Sequence, residues 1–544
     1  MNLSRRELLT IFLGAPLAAA ACARAPKAPR LPDGEILGQS VAVGHRIRDI
    51  QSLDVPPDNW NEISVAIIGG GIAGLSAARY LKKLGVDDFL VFELEREPGG
   101  TAISGNTDSI GYPWGAHYVP VPFKENCDLI ELLDEMSLTD GRNHSGEVVI
   151  GEEFLCRDPE ERVFYKGRWY EGLYLNVGAE IEDQRQLAEF QKVVDDWIAW
   201  RDDSGRRAFV VPTADCSKHE AVRDLDKVSF GEWLRRQGFT SQRLLWYCDY
   251  ACRDDYGQRL DETSAWAGLF YFCSRAQKSG SQSQPFITFP EGNGRFVRHL
   301  STIVGKNIVT GQAVVAVIPS DGRIEVICLA GETLRGYRCG EVIYSAPVFT
   351  APYVVRGFQD AKPFAAEEFR HNAWFVANLF LRDRPRQRFA RDFPLSWDNV
   401  IYESPSLGYV NAMHQKGIDY GPVIFTYYYP MCGDNDQRWR LLNYTREELA
   451  EVCLADLERA HPDIRSLCDR IDIMRWGHAM ISPRPGFIFS GEREKAMQPF
   501  RGVRFAHTDL SGVALFEEAF FHGTHAAREA AASLRISKTP TGRV

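Results

Sequence analysis

Along this chain the apolar positions change their period where a glycine cluster interrupts them. Val65-Ala66-Ile67-Ile68 is an unbroken apolar run, the pattern of a strand buried on both faces. After Gly69-Gly70-Gly71, the residues Ala73, Ala77, Leu81 and Leu84 recur at helical spacing and predict a helix over 72–84. Phe89-Leu90-Val91-Phe92 then predicts a second buried strand, so the unit implies a parallel sheet. Stretches 187–201 and 230–252 are amphipathic with helical period, which makes 125–275 a mainly helical insertion. Beyond the glycine turn at 290–295 the pattern predicts a helix over 296–304. Strands over 307–318 and 323–329 follow, joined by a hairpin at Asp321-Gly322. A buried strand over 341–346 stops at Pro347, strands are predicted over 371–382 and 422–429, and a helix over 446–460. Residues 503–532 read as a strand leading into a long helix. The pattern is that of an α/β chain whose nucleotide-type fold is assembled from separated segments.

At 544 residues, with 44% hydrophobic and 12% aromatic content, the chain is globular and long enough for two ordinary cores. Its net charge of −10 and the lack of a basic block argue against nucleic acid as a partner. Twelve cysteines are scattered without a Cys-x-x-Cys pair, and no metal-ligand spacing is present, so no metal is expected. Cys248 and Cys252 stand four apart on an expected helix and read as buried thiols.

The first residues read as an export signal. Ser4-Arg5-Arg6-Glu7-Leu8-Leu9 resembles the twin-arginine pattern, with Leu in place of Phe and Thr10 where Lys is frequent. The apolar run from Leu8 to Ala21 would make about 21 Å of helix, short of a bilayer core of about 30 Å, so no stable membrane span is expected. Signal peptide 1–23, linker and N-terminal extension 24–60, the twin-arginine machinery as partner and an extracytoplasmic, periplasmic location follow as expectations. Cys22 is a candidate lipid anchor, although Leu17 lies far upstream for a lipobox.

The glycine turn carries the first candidate chemistry. Gly69 suits a tight turn out of the strand, Gly71 a close approach of backbone to a pyrophosphate, and Gly74 close packing of helix on sheet. The anion would sit at the amino end of the helix beside Ile72 and Ala73, where the dipole contributes about 0.3–1 kcal/mol. Glu93, nineteen residues past Gly74, ends the second strand and can accept ribose hydroxyls, through charge-assisted bonds worth about 1.5–3 kcal/mol each. The same carboxylate repels a 2′-phosphate.

Residues 65–118, 290–347 and 503–532 together resemble the FAD-dependent amine oxidase and protoporphyrinogen oxidase superfamily. Four pieces carry the resemblance. The glycine turn and Glu93 are followed by Arg96-Glu97-Pro98-Gly99-Gly100, a glycine pair under the pyrophosphate, with Thr101 where the family usually has Arg. Trp114-Gly115-Ala116-His117-Tyr118 resembles the segment whose Gly115 and Ala116 would run beside the flavin ring. Gly311-Gln312-Ala313-Val314 makes Val314 the backbone partner of adenine, with Ser345-Ala346-Pro347 matching the next strand end. The fourth piece runs from Val503 to Gly512 and on through Glu517-Glu518-Ala519 to Gly523. There Asp509 would hold the ribityl or pyrophosphate region, with Gly512 beside it, and the following helix would point its positive end at the flavin.

The resemblance implies a Rossmann-like FAD-binding domain of glutathione-reductase type (61–124, 285–350 and 478–535) with a discontinuous α+β substrate domain (125–284 and 351–477). It implies FAD held noncovalently, since 503–526 contains no cysteine for a tether, and a small-molecule substrate. Oxidation of an amine C–N bond is one reading. Flavin-dependent C–C oxidation is a second, favoured by Arg475-Trp476-Gly477-His478-Ala479-Met480 with Pro483 and Pro485, and by the lack of Lys in Trp374–Leu379, where many amine oxidases place one. A noncatalytic exported flavin-binding protein is a third, and a nicotinamide-dependent dehydrogenase leaves the C-terminal segment unexplained. His117, Trp476 and His478 are the candidate catalytic residues, the two histidines as proton acceptors. Asp254-Asp255 is a candidate partner for a cationic amine or, more simply, a solvated helix end.

Overall fold

A computed structural model describes residues 31–538 apart from 48–49, 51–52, 277, 279, 281–283, 321, 388, 390 and 434–435. Arg5, Arg6 and Cys22 lie outside the described residues, and among those described no helix is long and apolar enough to cross a membrane.

A five-stranded all-parallel sheet forms the nucleotide-type layer, in the order Ile308–Val309, Phe89–Phe92, Val65–Ile68, Glu341–Tyr344 and Val503–Phe505. Helices Ile72–Lys83, Gly294–Val304 and Phe516–Lys538 pack on it, and strand Val65–Ile68 at its centre is wholly buried. A three-stranded antiparallel meander, Gln312–Ser320, Arg323–Ala330 and Thr333–Cys339, flanks this layer, and Trp60–Glu62 joins its last strand in parallel. The second architecture is an eight-stranded mixed sheet whose long central strands are His371–Leu381, Val423–Met431 and Cys468–Ile481. Helices Ile181–Ala199, Phe230–Arg236, Gln242–Tyr256 and Ala265–Cys273 form a layer whose aromatic core around Phe190, Trp233 and Trp266 is continuous with Ile68, Phe92 and Tyr344 of the nucleotide-type sheet.

Three expectations are corrected. The predicted helix 230–252 is two helices, because Gly238 takes a left-handed turn (φ +85°) and Ser241, whose hydroxyl accepts from Leu244 N–H, caps a new start at Gln242. The predicted strand 307–318 is split at Gly311 (φ +64°). Ile308–Val309 extends the parallel sheet and Gln312–Ser320 enters the meander. The stretch 24–60, expected as a linker, holds Ile36–Gly38, paired in parallel with Ile473–Arg475 of strand Cys468–Ile481, and ends in Trp60, where the strand beside Thr333–Cys339 begins.

Close approach of backbones sets the spacing around the central helix. A Cβ on Gly74 would stand 1.9 Å from the Gly69 carbonyl oxygen, and one on Gly523 would stand 2.0 Å from the Ala73 carbonyl oxygen. Both contacts are with backbone, so neither can yield by a side-chain rotation. Gly523→Val is therefore expected to separate helices Ile72–Lys83 and Phe516–Lys538 at a cost of about 1–3 kcal/mol or more, read as a lowered thermal midpoint of the cofactor-loaded protein; an unchanged midpoint would contradict this packing.

Candidate active site

Helix Ile72–Lys83 starts at Gly71, and no side chain caps it, which leaves its amino end to an external anion. The second glycine pair is tied to the first: Gly99 N–H donates to the Gly70 carbonyl at 2.8 Å. A Cβ on Gly71 would meet no protein atom closer than 4.0 Å, and one on Gly100 would meet only the Gly71 Cα, at 3.4 Å. Side chains at these two positions would instead occupy the space between the turns. That space belongs to a cavity of about 670 Å³, within the range of cofactor sites.

Gly69, Gly71, Ile72, Ala73, Glu93, Gly99, Gly100, Ala116, Val314, Trp476 and His478 line this cavity, and Gly74 stands behind it in the helix–strand contact. The Glu93 carboxylate is fixed by backbone, accepting from Gly70 N–H at 2.7 Å and Glu95 N–H at 2.8 Å. Burial raises its pKa against those two bonds. The bare helix end, the bare glycine backbone and the acid at the end of the second strand are what a dinucleotide needs, so the residues present fit FAD.

Asp509 and Gly512 are placed differently from expectation. Neither lines the cavity. Asp509 is wholly buried, and its oxygens accept from Val348 N–H at 2.9 Å and meet His371 Nε2 at 2.8 Å and His507 Nδ1 at 3.0 Å. Burial alone would raise its pKa, but the two histidines hold it far below the carboxylate range. Gly512 packs against Ile488, where a Cβ would stand 2.6 Å away. His507, Thr508, Ala514, Leu515, Phe516 and Ala519 are the residues of this segment that reach the cavity.

A second chamber of about 210 Å³ adjoins the first and shares Thr101, Ala116, Trp476, Ala479 and 514–516 as walls. Gly115 and His117 line it. So do Glu160, Glu161, Asp254, Asp255, Asp398 and Glu517, with Arg275 as the lining's one Lys or Arg. Strands Glu161–Tyr165 and Asp398–Ile401 run parallel with Glu161 and Asp398 in register, which puts two carboxylates side by side. Like charges directly opposite are normally avoided. Burial, then Glu160 and Asp254, push Glu161 up to about 7. Burial, then Asp254 and Glu161, push Asp398 well above the carboxylate range, although Tyr250 Oη donates to it at 3.1 Å. Burial raises Glu517 to about 7 against Arg275. Asp254-Asp255 is no solvated helix end: Asp255 is buried and receives Arg275 Nη2 at 3.0 Å on both oxygens, and Asp254 is raised by burial and by Asp255.

The remaining candidates are held by aromatic and backbone contacts. His117 sits 5.0 Å from both Trp397 and Tyr428 between ring centroids, and burial lowers its pKa to about 4, so it is a neutral imidazole near pH 7. Trp476 donates its indole N–H to the Trp114 carbonyl at 2.7 Å and serves as a wall between the chambers. His478 stacks on Phe349 at 4.2 Å and faces the larger cavity alone. Sequence reasoning missed Glu160, Glu161, Asp398 and Arg275 and gave Glu517 no role. Their one local signal was the acidic pair ahead of the apolar Val163-Phe164, and only strand register joins that pair to Asp398.

The family model described as flavin containing amine oxidoreductase matches residues 72–531. A putative flavin-containing monoamine oxidase, AofH, of Mycobacterium tuberculosis is 27% identical over 207 residues, which is 36% of this chain and 38% of that relative's length. Among solved structures, wild-type putrescine oxidase bound to putrescine superposes with a TM-score of 0.65 at 17% identity, over 87% of this chain and 100% of that one. A putative protoporphyrinogen oxidase from Exiguobacterium sp. 255-15 gives 0.55 at 15% identity, over 89% of this chain and 100% of that one. At these identities the two structures share the fold.

Two outcomes follow from this geometry. Gly71→Val fills the space between the glycine turns and is expected to weaken FAD binding at least about tenfold, or ~1.4 kcal/mol, read as a lowered flavin-to-protein ratio with the far-ultraviolet circular dichroism retained. Glu161 and Glu517 keep their protons in the folded state up to about pH 7, while their ordinary value is 4.5. The folded state thus binds more protons than the unfolded one in that window, and stability falls as pH rises through it. Glu161→Gln should flatten this fall in thermal midpoint between about pH 5 and pH 8; an identical slope would contradict the assignment.

Proposed function

The chain belongs to the flavin-containing amine oxidoreductase family, and from that premise we propose that it oxidises a cationic amine at its C–N bond with noncovalently held FAD. The observation that carries the reading is the acidic chamber beside the dinucleotide cavity. Six carboxylates face one guanidinium there, and that guanidinium is already claimed by Asp255. An ammonium group relieves the crowding of Glu161, Asp254 and Asp398, whereas an anionic substrate such as a porphyrinogen adds to it. No cysteine lines either cavity, which supports noncovalent attachment.

Gly69, Gly71, Ile72, Ala73, Glu93, Gly99–Thr101 and Val314 would hold the cofactor, and when bound FAD supplies the two-electron acceptor. The chain's own residues do the rest. Carboxylates in the chamber bind the ammonium and orient the carbon beside it. Glu161 or Glu517, with pKa raised to about 7, takes the proton that leaves the ammonium nitrogen, so that the free base with its lone pair is the form oxidised. His117, Trp397, Tyr428 and Tyr118 form a ring-lined wall that excludes water, and neutral His117 adds no competing positive charge. The iminium ion left by two-electron oxidation hydrolyses in water to a carbonyl compound and ammonium or a smaller protonated amine. Export by the twin-arginine machinery belongs to the same proposal and rests on Arg5-Arg6 and the apolar run behind them.

Anaerobic addition of monoamines and diamines to the purified yellow protein is expected to bleach the flavin absorbance, and porphyrinogens are expected to leave it unchanged; the reverse pattern would overturn the amine reading. Glu161→Gln should raise KM for the amine at least about tenfold, ~1.4 kcal/mol, with a smaller effect on kcat. In the wild type KM should fall as pH rises from about 6 to 8, because the carboxylates ionise in that window.

A further inference from the structure

The segment before the family-matched region is built into the wall of the cofactor cavity. Gly38, Gln39, Ser40, Val41, His45 and Ile47 line it, and all precede residue 72, where the family match begins. This run has three separate anchors. Ile36–Gly38 adds an edge strand to the large sheet beside Ile473–Arg475, supported by Asp33 N–H to Asp469 O at 3.2 Å, Ile471 N–H to Asp33 O at 2.8 Å and Glu35 paired with Arg470 at 2.9 Å. Ser40 donates through its backbone N–H and its hydroxyl to the two oxygens of Glu95, both at 2.7 Å, two residues beyond Glu93. Helix Val41–Arg46 then crosses to the meander, where Arg46 pairs with Glu332 at 3.0 Å and Val43 and Ile47 pack on the cluster containing Ala313 and Val315.

We infer that residues 33–47 are a strap of the FAD site: they close the cavity between the end of strand Phe89–Phe92 and the edge of the large sheet, and they govern release of the dinucleotide. The strap joins the nucleotide-type layer to the large sheet on the far side of the cavity, through contacts with residues 55 or more positions away in sequence. Its ties differ in strength. The strand pairing is spread over three residues of backbone, while the two charge-assisted bonds of Ser40 both depend on the one carboxylate of Glu95, so rotation of that single side chain releases them together and makes this contact the latch. The inference rests on the FAD site and is independent of which substrate is oxidised.

A reversible lock tests it. A Cβ on Gly38 stands 4.0 Å from Arg475 Cβ, inside the ~3.5–4.5 Å span of a disulfide. In the full-length protein, Gly38→Cys with Arg475→Cys is expected to slow FAD release at least about tenfold when oxidised, followed by the rise of flavin fluorescence after dilution, and a reductant should restore the wild-type rate. Ser40→Ala alone should speed release about fivefold with the thermal midpoint of the apoprotein unchanged. Arg475→Cys alone controls for loss of the Arg475 bond to the Leu442 carbonyl. Equal release rates for the oxidised, reduced and Ser40→Ala proteins would overturn the strap. Should the paired variant fail to fold, the Ser40→Ala rate alone decides: faster release supports the strap and an unchanged rate overturns it.

Discussion

The depth at which helix Ile72–Lys83 sits against its neighbours controls most of what this molecule can do. On one side the Gly74 Cα abuts the Gly69 carbonyl, and on the other Gly523 abuts the Ala73 carbonyl. Ser345 completes the clamp, its hydroxyl donating at 2.8 Å to the carbonyls of both Ile68 and Gly69. Packing and binding therefore use the same atoms. Because the helix lies this low, its uncapped amino end at Gly71 meets the Gly99-Gly100 turn, and the space between the two turns becomes an anion cradle instead of a side-chain contact. Any enlargement at these glycines moves the helix, the cradle and the C-terminal helix together.

The acidic chamber shows the opposite balance, since it lowers stability, and under the proposed function that cost is offset by affinity for a cation. Parallel register sets Glu161 beside Asp398, and neighbouring turns bring Asp254 and Glu517 to the same space. Each carboxylate there is harder to ionise than in water because burial removes its hydration, and every further charge raises the cost for the next. Arg275 offsets only part of this, held by both oxygens of Asp255. A site arranged for stability alone would pair each acid or replace it with an apolar residue. Acids kept around a cavity in excess over the one guanidinium are the arrangement that gains most from an incoming cation, and the aromatic walls at Tyr118, Trp397 and Tyr428 leave few other groups to take that role.

How far this was legible in the sequence follows the range of the interactions. The glycine turn, the two strands beside it and the long C-terminal helix rest on local period and turn chemistry, and they stand in the structure within a residue or two of their expected positions, except that the C-terminal helix runs on to Lys538. The helix over 230–252 was misread because amphipathic period continues through Gly238 although the backbone does not. The edge strand Ile36–Gly38 was invisible because three residues have no period, and its identity comes from a partner more than four hundred residues away. The chamber was legible only in part: Asp254-Asp255 stood out as a candidate partner for a cationic amine, but Glu160-Glu161, Arg275 and Asp398 carry no local pattern that joins them to it, and only the order of strands makes them one site.

Asp509 separates the position of a motif from the work of its atoms. The segment from Val503 to Gly512 does end at the cofactor cavity, yet the carboxylate expected to touch the ligand is turned into the protein. Its low pKa keeps it ionised across the physiological range, so the bonds to Val348 N–H and His371 persist when the cavity is empty. Those bonds pin the ends of three elements, the segment after strand Glu341–Tyr344, the start of strand His371–Leu381 and the turn at Thr508–Leu510, to one buried point. What reaches the cavity from there is His507 and Thr508, and the Asp509 backbone N–H, donating to His507 Nδ1 at 3.2 Å, ties the first of them to the same turn. Asp509 thus acts on a bound dinucleotide by holding the wall that meets it, and a change there would disturb the wall before it removed any direct contact.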